Sequence, residues 1–435
     1  MPGFCICAAQ RGLLLTYPEN AMNASPSPAP LDFNDALALV LRHAAGLAAP
    51  AAETAELADS RGRVLAEPLA ADRDQPPFHR STRDGFAVRA AELNAGAVAV
   101  TGSLRAGEAW TGGTRGSKSA IEIMTGAPVP AGADAVVMLE HVAQTGKNIA
   151  LHAGRTLIAG ENIVSAGSEA RRGEILLTPG TRLGAAEIAL AASCGAVSLA
   201  VYRRPRVAIV TTGDELVELH ESPLPHQIRN SNSHALAALV EESGGEAVRL
   251  QHAADTREAL AAAIDQARDC DLLLFSGGVS VGRHDLVEDA LAAEGAEFYF
   301  TGVRMQPGRP VVFGRIPARG QRPARYFFGL PGNPVSTQVT FLVFARTLLA
   351  ALGGAGAQPP RFVAAQLAEE VKVKPGLTRF LPAILMQTLP QPTVRVITTQ
   401  GSGDLAANAR GNCYAVLPAE CERLATGESV SILLR

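Results

Sequence analysis

Short apolar runs and amphipathic stretches alternate along the second half of the chain. Three apolar runs each end in a turn-forming loop, namely VAIV (207–210), DLLLF (271–275) and YFFGL (326–330). Apolar positions at helical spacing fall in residues 232–244, 256–268 and 335–350. Buried strands that alternate with amphipathic helices are typical of a parallel sheet with crossover helices. The pattern therefore predicts an α/β domain with a parallel-rich sheet over residues 205–352.

The loops after these strands carry the candidate site, because ligands of such sheets bind beyond the carboxyl ends of the strands. The loop residues are Thr212, Gly213, Asp214 and Glu215, then Ser276, Gly277, Gly278 and Ser280, then Pro331, Gly332, Asn333, Pro334 and Ser336. Glycines let backbone N–H groups face a phosphate, and Asn333 before Pro334 resembles a helix start, where free N–H groups attract anions.

Carboxylates reach the same predicted edge of the sheet, at Asp214, Glu215, Asp255 and Asp285. Phosphate donors beside carboxylates predict a bridging Mg²⁺, which prefers oxygen ligands and keeps several waters. Turn glycines and helix-capping acids would explain any one of these loops by itself. Three such loops on one edge favour a binding site instead.

The rest of the chain divides by composition. Residues 1–30 lack periodicity, which predicts a disordered tail. Residues 31–71 and 169–204 are predicted to form a helical and extended unit, with one helix over 33–45 and another around Glu53–Ser60. Pro and Gly break residues 72–168 into short β-rich runs, which predicts an inserted small β domain. After a linker at 353–360, residues 358–435 alternate β runs with turns, which predicts a C-terminal β-barrel or sandwich.

Composition excludes several classes of protein. The chain has 435 residues and a net charge of −3, which predicts more than one domain and argues against a nucleic-acid binder. Its six Cys form no CxxC pair and its nine His no HExxH spacing, so we expect buried thiols in a reducing compartment and no zinc site. We also expect no apolar run long enough to span a membrane.

Five motifs follow one another along the chain: DGFAV (84–88), MTGAPVPAGADAVV (124–137), TTGDELV (211–217), SGGVSVG with a nearby Asp (276–285) and LPGNPVS (330–336). Together they resemble the molybdopterin molybdenumtransferase family, the group of MoeA and the gephyrin E domain, over nearly all of residues 31–435. SGGVSVG and LPGNPVS are highly specific as a pair, whereas SGGVSVG alone also resembles a related adenylyltransferase and the competence-damage-type proteins. The resemblance implies a multidomain α/β plus β fold with a central MoaB/MogA-like three-layer α/β domain and a C-terminal β-barrel.

The resemblance implies a function in molybdenum cofactor biosynthesis. Such proteins insert molybdate into adenylylated molybdopterin, with Mg²⁺, and release AMP. It implies a cytoplasmic homodimer with molybdopterin adenylyltransferase as the substrate donor, acceptor molybdoenzymes as further partners, and no nucleic acid or membrane partner. Matching positions imply catalytic roles for Asp84, Thr125, Glu215 and Asp285, and Mg²⁺ ligation by Glu215, Asp255 and Asp285. They also imply molybdate-pocket roles for Gln306, Arg309, Ser336 and Ser402.

Several residues depart from the family pattern. QPGRP (306–310) stands where Lys-Pro-Gly-Lys-Pro is usual, so Arg309 keeps one cation and Gln306 is neutral. Replacing a charge-assisted bond by a neutral one predicts molybdate binding about tenfold weaker. Glu169 stands where Asp is usual, and Pro382 where Arg is usual, with Arg379 close by. The alternative is a non-catalytic paralogue that binds molybdopterin or the finished cofactor and delivers it to a partner enzyme; the retained carboxylates favour the enzyme.

Overall fold

The structure is a computed structural model that describes residues 29–112, 116–278, 286–320, 322–386 and 390–435. The chain divides into two compact units. The β unit comprises Thr54–Arg61 and Leu65–Ala200, and the α/β-barrel unit comprises the described residues up to Glu53, Gly62–Val64 and Val201–Arg435. The finer division predicted from the sequence stays a prediction, and the predicted tail lies outside the described residues except for its last two.

From Ala29 to Tyr202 the helices are α1 (Phe33–Ala45), α2 (Ala90–Ala95) and α3 (Ala185–Ser193), with 3₁₀ turns at Leu57–Asp59 and Leu139–His141. The strands are β1 (Ala52–Glu56), β2 (Leu69–Ala70), β3 (Arg80–Ser81), β4 (Gly85–Val88), β5 (Val98–Leu104), β6 (Ser119–Ile123), β7 (Ala135–Met138), β8 (Val142–Thr145), β9 (Asn148–Leu151), β10 (Ile163–Val164), β11 (Ile175–Leu177) and β12 (Ser198–Tyr202).

The helix predicted around Glu53–Ser60 is wrong. These residues form β1 and a 3₁₀ turn, and the Leu57 N–H donates to the Val197 carbonyl at 2.9 Å. A hydrogen bond to a residue so distant in sequence overrides local helix propensity. The helix predicted over 33–45 is confirmed as α1, which buries the apolar face that includes Phe33 and Leu37.

The β unit is built on a mixed sheet. Within its described residues the strand order is β7-β4-β6-β5-β9-β8. Phe86 and Val88 pack in one apolar cluster and Ala87 in another, because side chains alternate between the two faces of β4. The sheet is therefore buried on both faces. The predicted β runs are confirmed as β4 to β7 and β9, whereas α2 and β8 were not predicted.

The α/β part of the second unit contains the helices α4 (Ser231–Glu242), α5 (Arg257–Gln266), α6 (Leu286–Ala293), α7 (Pro334–Thr340) and α8 (Arg346–Leu352), with a π-helical segment at Phe341–Ala345 between the last two. Its strands are β13 (Arg206–Thr211), β14 (Leu216–Val217), β15 (Ile228–Arg229), β16 (Glu246–Arg249), β17 (Leu272–Ser276), β18 (Glu297–Thr301), β19 (Met305–Gln306), β20 (Val312–Ile316) and β21 (Arg325–Leu330).

The three predicted strands are neighbours in one sheet. Its order in the described residues is β16-β13-β17-β21-β20-β18; the first four strands run parallel and β20 pairs antiparallel with β21. Val207 and Ile209 face a core that contains residues of α4, α7 and α8, whereas Ala208 and Val210 face one that contains residues of α5 and α6. The predicted three-layer, parallel-rich α/β fold is confirmed.

The helical stretch from Pro334 to Leu352 is long and apolar. By length and hydropathy it could span a membrane, so the expectation that no run is long enough is wrong. Burial explains its composition, because 78% of its most apolar window lies inside the fold. Buried thiols are confirmed at Cys194, Cys270 and Cys413.

The C-terminal part contains β22 (Phe362–Leu367), β23 (Val371–Lys372), β24 (Thr378–Met386), β25 (Thr393–Val396), α9 (Leu405–Arg410), β26 (Cys413–Leu417), β27 (Arg423–Leu424) and β28 (Ser429–Leu434). In the described chain the order β24-β25-β22-β28-β26 closes on itself, because β26 also pairs with β24. The C-terminal part is therefore a closed five-stranded barrel and not a sandwich. The short strand β19 extends it by pairing with β24.

A polar joint connects α7 to the barrel. The Asn408 amide on α9 is 2% exposed and donates to Gln338 Oε1 on α7 at 2.9 Å. The side-chain oxygen Oδ1 of Asn408 accepts from Tyr414 Oη at 2.9 Å and from Arg435 Nη2 at 2.8 Å. The Val335 N–H donates to the Ser402 carbonyl at 3.0 Å. The loop before α9 and α9 itself are thereby each hydrogen-bonded to α7.

Candidate functional site

The ends of β13, β17 and β21 lie side by side. Thr211 is paired with Ser276, and Ser276 with Leu330, so the loops that follow begin at one edge of the sheet. They enclose a cavity of about 390 Å³, which we call the loop cleft. Its lining includes the predicted residues Thr212, Gly213, Glu215, Asp255, Ser276, Gly277, Gly278, Gly332, Asn333 and Pro334.

Close backbone packing explains the glycines at the end of β17. Gly277 has a φ of 94° and Gly278 a φ of 65°, both in the left-handed region that favours glycine. A Cβ at Gly277 would lie 2.4 Å from the Thr212 carbonyl oxygen, and one at Gly278 would lie 2.8 Å from Thr212 Oγ1. The loop after β17 can therefore approach Thr212 this closely only because these two positions carry no side chain.

Asn232, in the first turn of α4, joins the end of β17 to the loop that follows β21. Its Nδ2 donates to Ser276 Oγ at 2.9 Å and to the Gly332 carbonyl at 2.7 Å. It lines the loop cleft but was not singled out in the sequence. No local motif marks it, because both of its partners are distant in sequence.

Two other polar groups in the loop cleft are available to a ligand. Thr212 Oγ1 is buried and forms no hydrogen bond within the described residues. Asn333 occupies the N-cap position of α7 as predicted, but its side chain makes no capping bond. The amino-terminal turn of α7 therefore presents partial positive charge to the cleft.

The carboxylates are divided between the cleft and its rim. Glu215 and Asp255 line the loop cleft, whereas Asp214 accepts a long hydrogen bond from the Asp255 N–H at 3.4 Å. Asp285 and Ser280 lie outside the described residues. No group of three or more His, Cys, Asp or Glu in the described chain could hold a metal. Two carboxylates beside phosphate-type donors do fit Mg²⁺, which is commonly held by one or two carboxylates, substrate phosphates and water.

A second cavity of about 470 Å³ lies between the α/β sheet and the barrel, and we call it the barrel cleft. The predicted residues Gln306, Arg309, Pro331, Asn333, Ser336 and Ser402 line it, together with Arg379, Pro382 and Thr399. Its described lining contains two arginines and hydroxyl groups but no carboxylate, which suits an anion. Pro331–Ser336 borders both clefts, and Asn333 lines each of them.

Asp84 and Thr125 lie together in the β unit. Asp84 Oδ1 accepts from the Thr125 N–H at 2.7 Å and from Thr125 Oγ1 at 2.9 Å. These bonds, the backbone one first, lower the pKa of Asp84 below its ordinary value. The side chain is exposed and ionised at neutral pH, so it can act as a base or a cation ligand.

Two charged residues that bear on the departures from the family pattern, Glu169 and Arg304, each form an ion pair elsewhere. Glu169 forms an ion pair with Arg80 at 3.1 Å. Arg304 forms an ion pair with Asp32 at 3.3 Å and lines a different cavity from Gln306. It therefore does not replace the missing charge at Gln306.

Comparison with known proteins covers most of the chain. The chain matches the MoeA N-terminal region (domain I and II) over residues 31–195, a probable molybdopterin binding domain over 208–351, and the MoeA C-terminal region (domain IV) over 364–434. It is 34% identical to a molybdopterin molybdenumtransferase of Nostoc sp. over 88% of each chain. It is 32% identical to one of Haemophilus influenzae over 87% of this chain and 93% of that protein.

A molybdopterin biosynthesis MoeA protein of Pyrococcus horikoshii has the same fold. Its crystal structure aligns with 94% of this chain and 100% of its own, with a TM-score of 0.75 and 29% sequence identity. The three matched regions and the curated relatives agree over most of the chain. The chain therefore belongs to the molybdopterin molybdenumtransferase (MoeA) family.

Proposed function

We propose that the protein is a transferase of molybdenum cofactor biosynthesis that inserts molybdate into adenylylated molybdopterin, with Mg²⁺, and releases AMP. The observation that carries the proposal is the pair of clefts that meet at Pro331–Ser336. The loop cleft offers glycine backbone, a helix amino terminus and carboxylates. The barrel cleft offers cations and hydroxyls, with no carboxylate in its described lining. Adenylylated molybdopterin would place its phosphoanhydride in the loop cleft and its dithiolene, beside molybdate, in the barrel cleft.

The residues of the two clefts have roles that follow from their positions. The loop-cleft backbone and the start of α7 bind and orient the adenylyl phosphate. Glu215 and Asp255, with Asp285, would hold Mg²⁺, which would neutralise charge on the phosphoanhydride as it breaks. Arg309, Ser336 and Ser402 hold molybdate beside the dithiolene. Family resemblance gives Asp84 a catalytic role, and its carboxylate, hydrogen-bonded to Thr125, is available to accept a proton.

The transfer balances without a redox partner. Both dithiolene sulfurs bind molybdenum as one molybdate oxygen leaves with their two protons as water, and the metal stays hexavalent. Water adds to the phosphoanhydride, which yields AMP and the phosphate of the cofactor. Family resemblance supports a cytoplasmic homodimer that receives its substrate from molybdopterin adenylyltransferase and serves acceptor molybdoenzymes.

The deciding measurement is AMP release from adenylylated molybdopterin with molybdate and Mg²⁺, and with each omitted in turn. We expect release only when all three are present, and loss of release in Asp255→Asn with unchanged thermal unfolding. Tight binding of molybdopterin without AMP release would instead establish the non-catalytic carrier.

A further inference from the structure

Gln306 has a cationic neighbour that its own sequence context does not reveal. Gln306 on β19 is paired in parallel with Arg379 on β24. Adjacent strands lie about 4.8 Å apart. Both residues line the barrel cleft, as does Arg309. A positive charge therefore lies one strand away from the position that Gln306 leaves neutral.

The Arg379 side chain is held in place by its own strand connection. Its Nε and Nη2 donate to the Lys374 carbonyl oxygen at 3.2 and 2.7 Å. Neither Arg379 nor Arg309 forms a salt bridge within the described part of the chain. An anchored guanidinium without a carboxylate partner keeps its charge and its remaining N–H donors for a ligand, and loses little conformational entropy when it binds one.

We propose that Arg379 is a direct oxyanion-binding residue, which supplies from β24 the second positive charge that Gln306 does not supply from β19. The inference rests on the proposed function, because it places molybdate in the barrel cleft. It adds that this chain holds the oxyanion between two guanidinium groups, Arg309 and Arg379, each able to form bidentate contacts. Lysine at position 306 would then be redundant while Arg379 is present.

The test exchanges the charge between the paired strands. Molybdate binding is measured by equilibrium dialysis of the full-length protein against sodium molybdate, with molybdenum quantified, and AMP release is titrated with molybdate in parallel. Arg379→Gln should weaken molybdate binding about tenfold. Gln306→Lys should change it less than about threefold alone, but should restore most of the loss in the Arg379→Gln background. Arg304→Gln, which removes a nearby cation from a different cavity, is the matched control and should leave binding unchanged.

The outcomes separate this inference from the proposed function. Thermal unfolding of every variant must match the wild type, and Arg379→Lys, which keeps the charge, should retain more binding than Arg379→Gln. The inference is supported if Arg379→Gln weakens molybdate binding and Gln306→Lys restores it, even when no AMP is released. The absence of AMP release overturns only the proposed reaction. AMP release with the same molybdate midpoint in wild type and Arg379→Gln overturns the inference and leaves the reaction standing. A wild-type protein that binds no molybdate by dialysis also overturns the inference.

Discussion

Replacing Gln338 by Met should loosen the barrel from α7. The substitution keeps the length of the side chain but removes the acceptor of the Asn408 side-chain amide, and Asn408 is only 2% exposed. An unsatisfied buried donor costs about 1–3 kcal/mol, so the free energy of unfolding should fall by that amount. The loop that carries Ser402 should lose protection first, because the Val335 to Ser402 bond would then have to hold this segment to α7 without the Asn408 to Gln338 bond.

Urea unfolding measures the total loss, and amide hydrogen exchange of residues 399–411 measures where it occurs. Gln338→Glu is the matched control, since its carboxylate can still accept from Asn408, and should cost less than Gln338→Met. Asn408→Asp removes the donor while its oxygens still face Tyr414 and Arg435, so combining it with Gln338→Met should be less than additive. Equal exchange in Gln338→Met and wild type would refute the idea that this joint holds the loop.

Three further predictions concern titration and backbone. Thr125→Val should move the acidic limb of the pH–rate profile to higher pH, because the pKa of Asp84 rises when the Thr125 hydroxyl is lost. Thr125→Ser keeps the hydroxyl and should not move the limb. Identical profiles for Thr125→Val and wild type would contradict this prediction. Burial, with Arg42 next, lowers the pKa of His43 from 6.5 to about 4, so the stability gained from the neutral ring is present above pH 6.5 and is lost as pH falls toward 4. His43→Phe should reduce the dependence of the unfolding free energy on pH between 6.5 and 4. The same pH dependence in His43→Phe and wild type would contradict this prediction. Gly277→Ala should abolish turnover and destabilise more than Gly295→Ala, since Gly295 has a similar φ of 78° but open space around it; thermal unfolding compares them, and equal losses would count against the close approach.

The strands that carry the loop cleft could be predicted because their signal is local. Each is a continuous apolar run followed by glycine or another turn former, as in the run that ends at Ser276. By contrast β24 has no such continuous apolar run. Pro382 interrupts its sequence and lacks an N–H, yet the barrel accommodates it opposite Tyr414. Strand pairing, and not local preference, decides the conformation there.

Site residues divide in the same way. Asp84 and Thr125 were recognised one by one from motifs, but their mutual hydrogen bonds exist only because β4 pairs with β6, which leads to Thr125. Asn232 has no motif at all, since its role is to join two loops that the fold brings together. The side chains that we propose to contact a ligand therefore left a trace in the sequence, whereas Asn232, which positions the loops, did not.

The π-helical segment Phe341–Ala345 has a consequence for comparing relatives. A π turn holds one residue more than an α turn of 3.6 residues, so each residue beyond it is rotated by roughly 100° relative to an uninterrupted α-helix. A homologue that lacks one residue in this segment, but keeps the α8 face in its apolar core, would turn Ser336 away from the barrel cleft. A sequence alignment through this helix without a gap would pair side chains that face different directions. A cleft residue would then look lost or gained only because the helix is rotated.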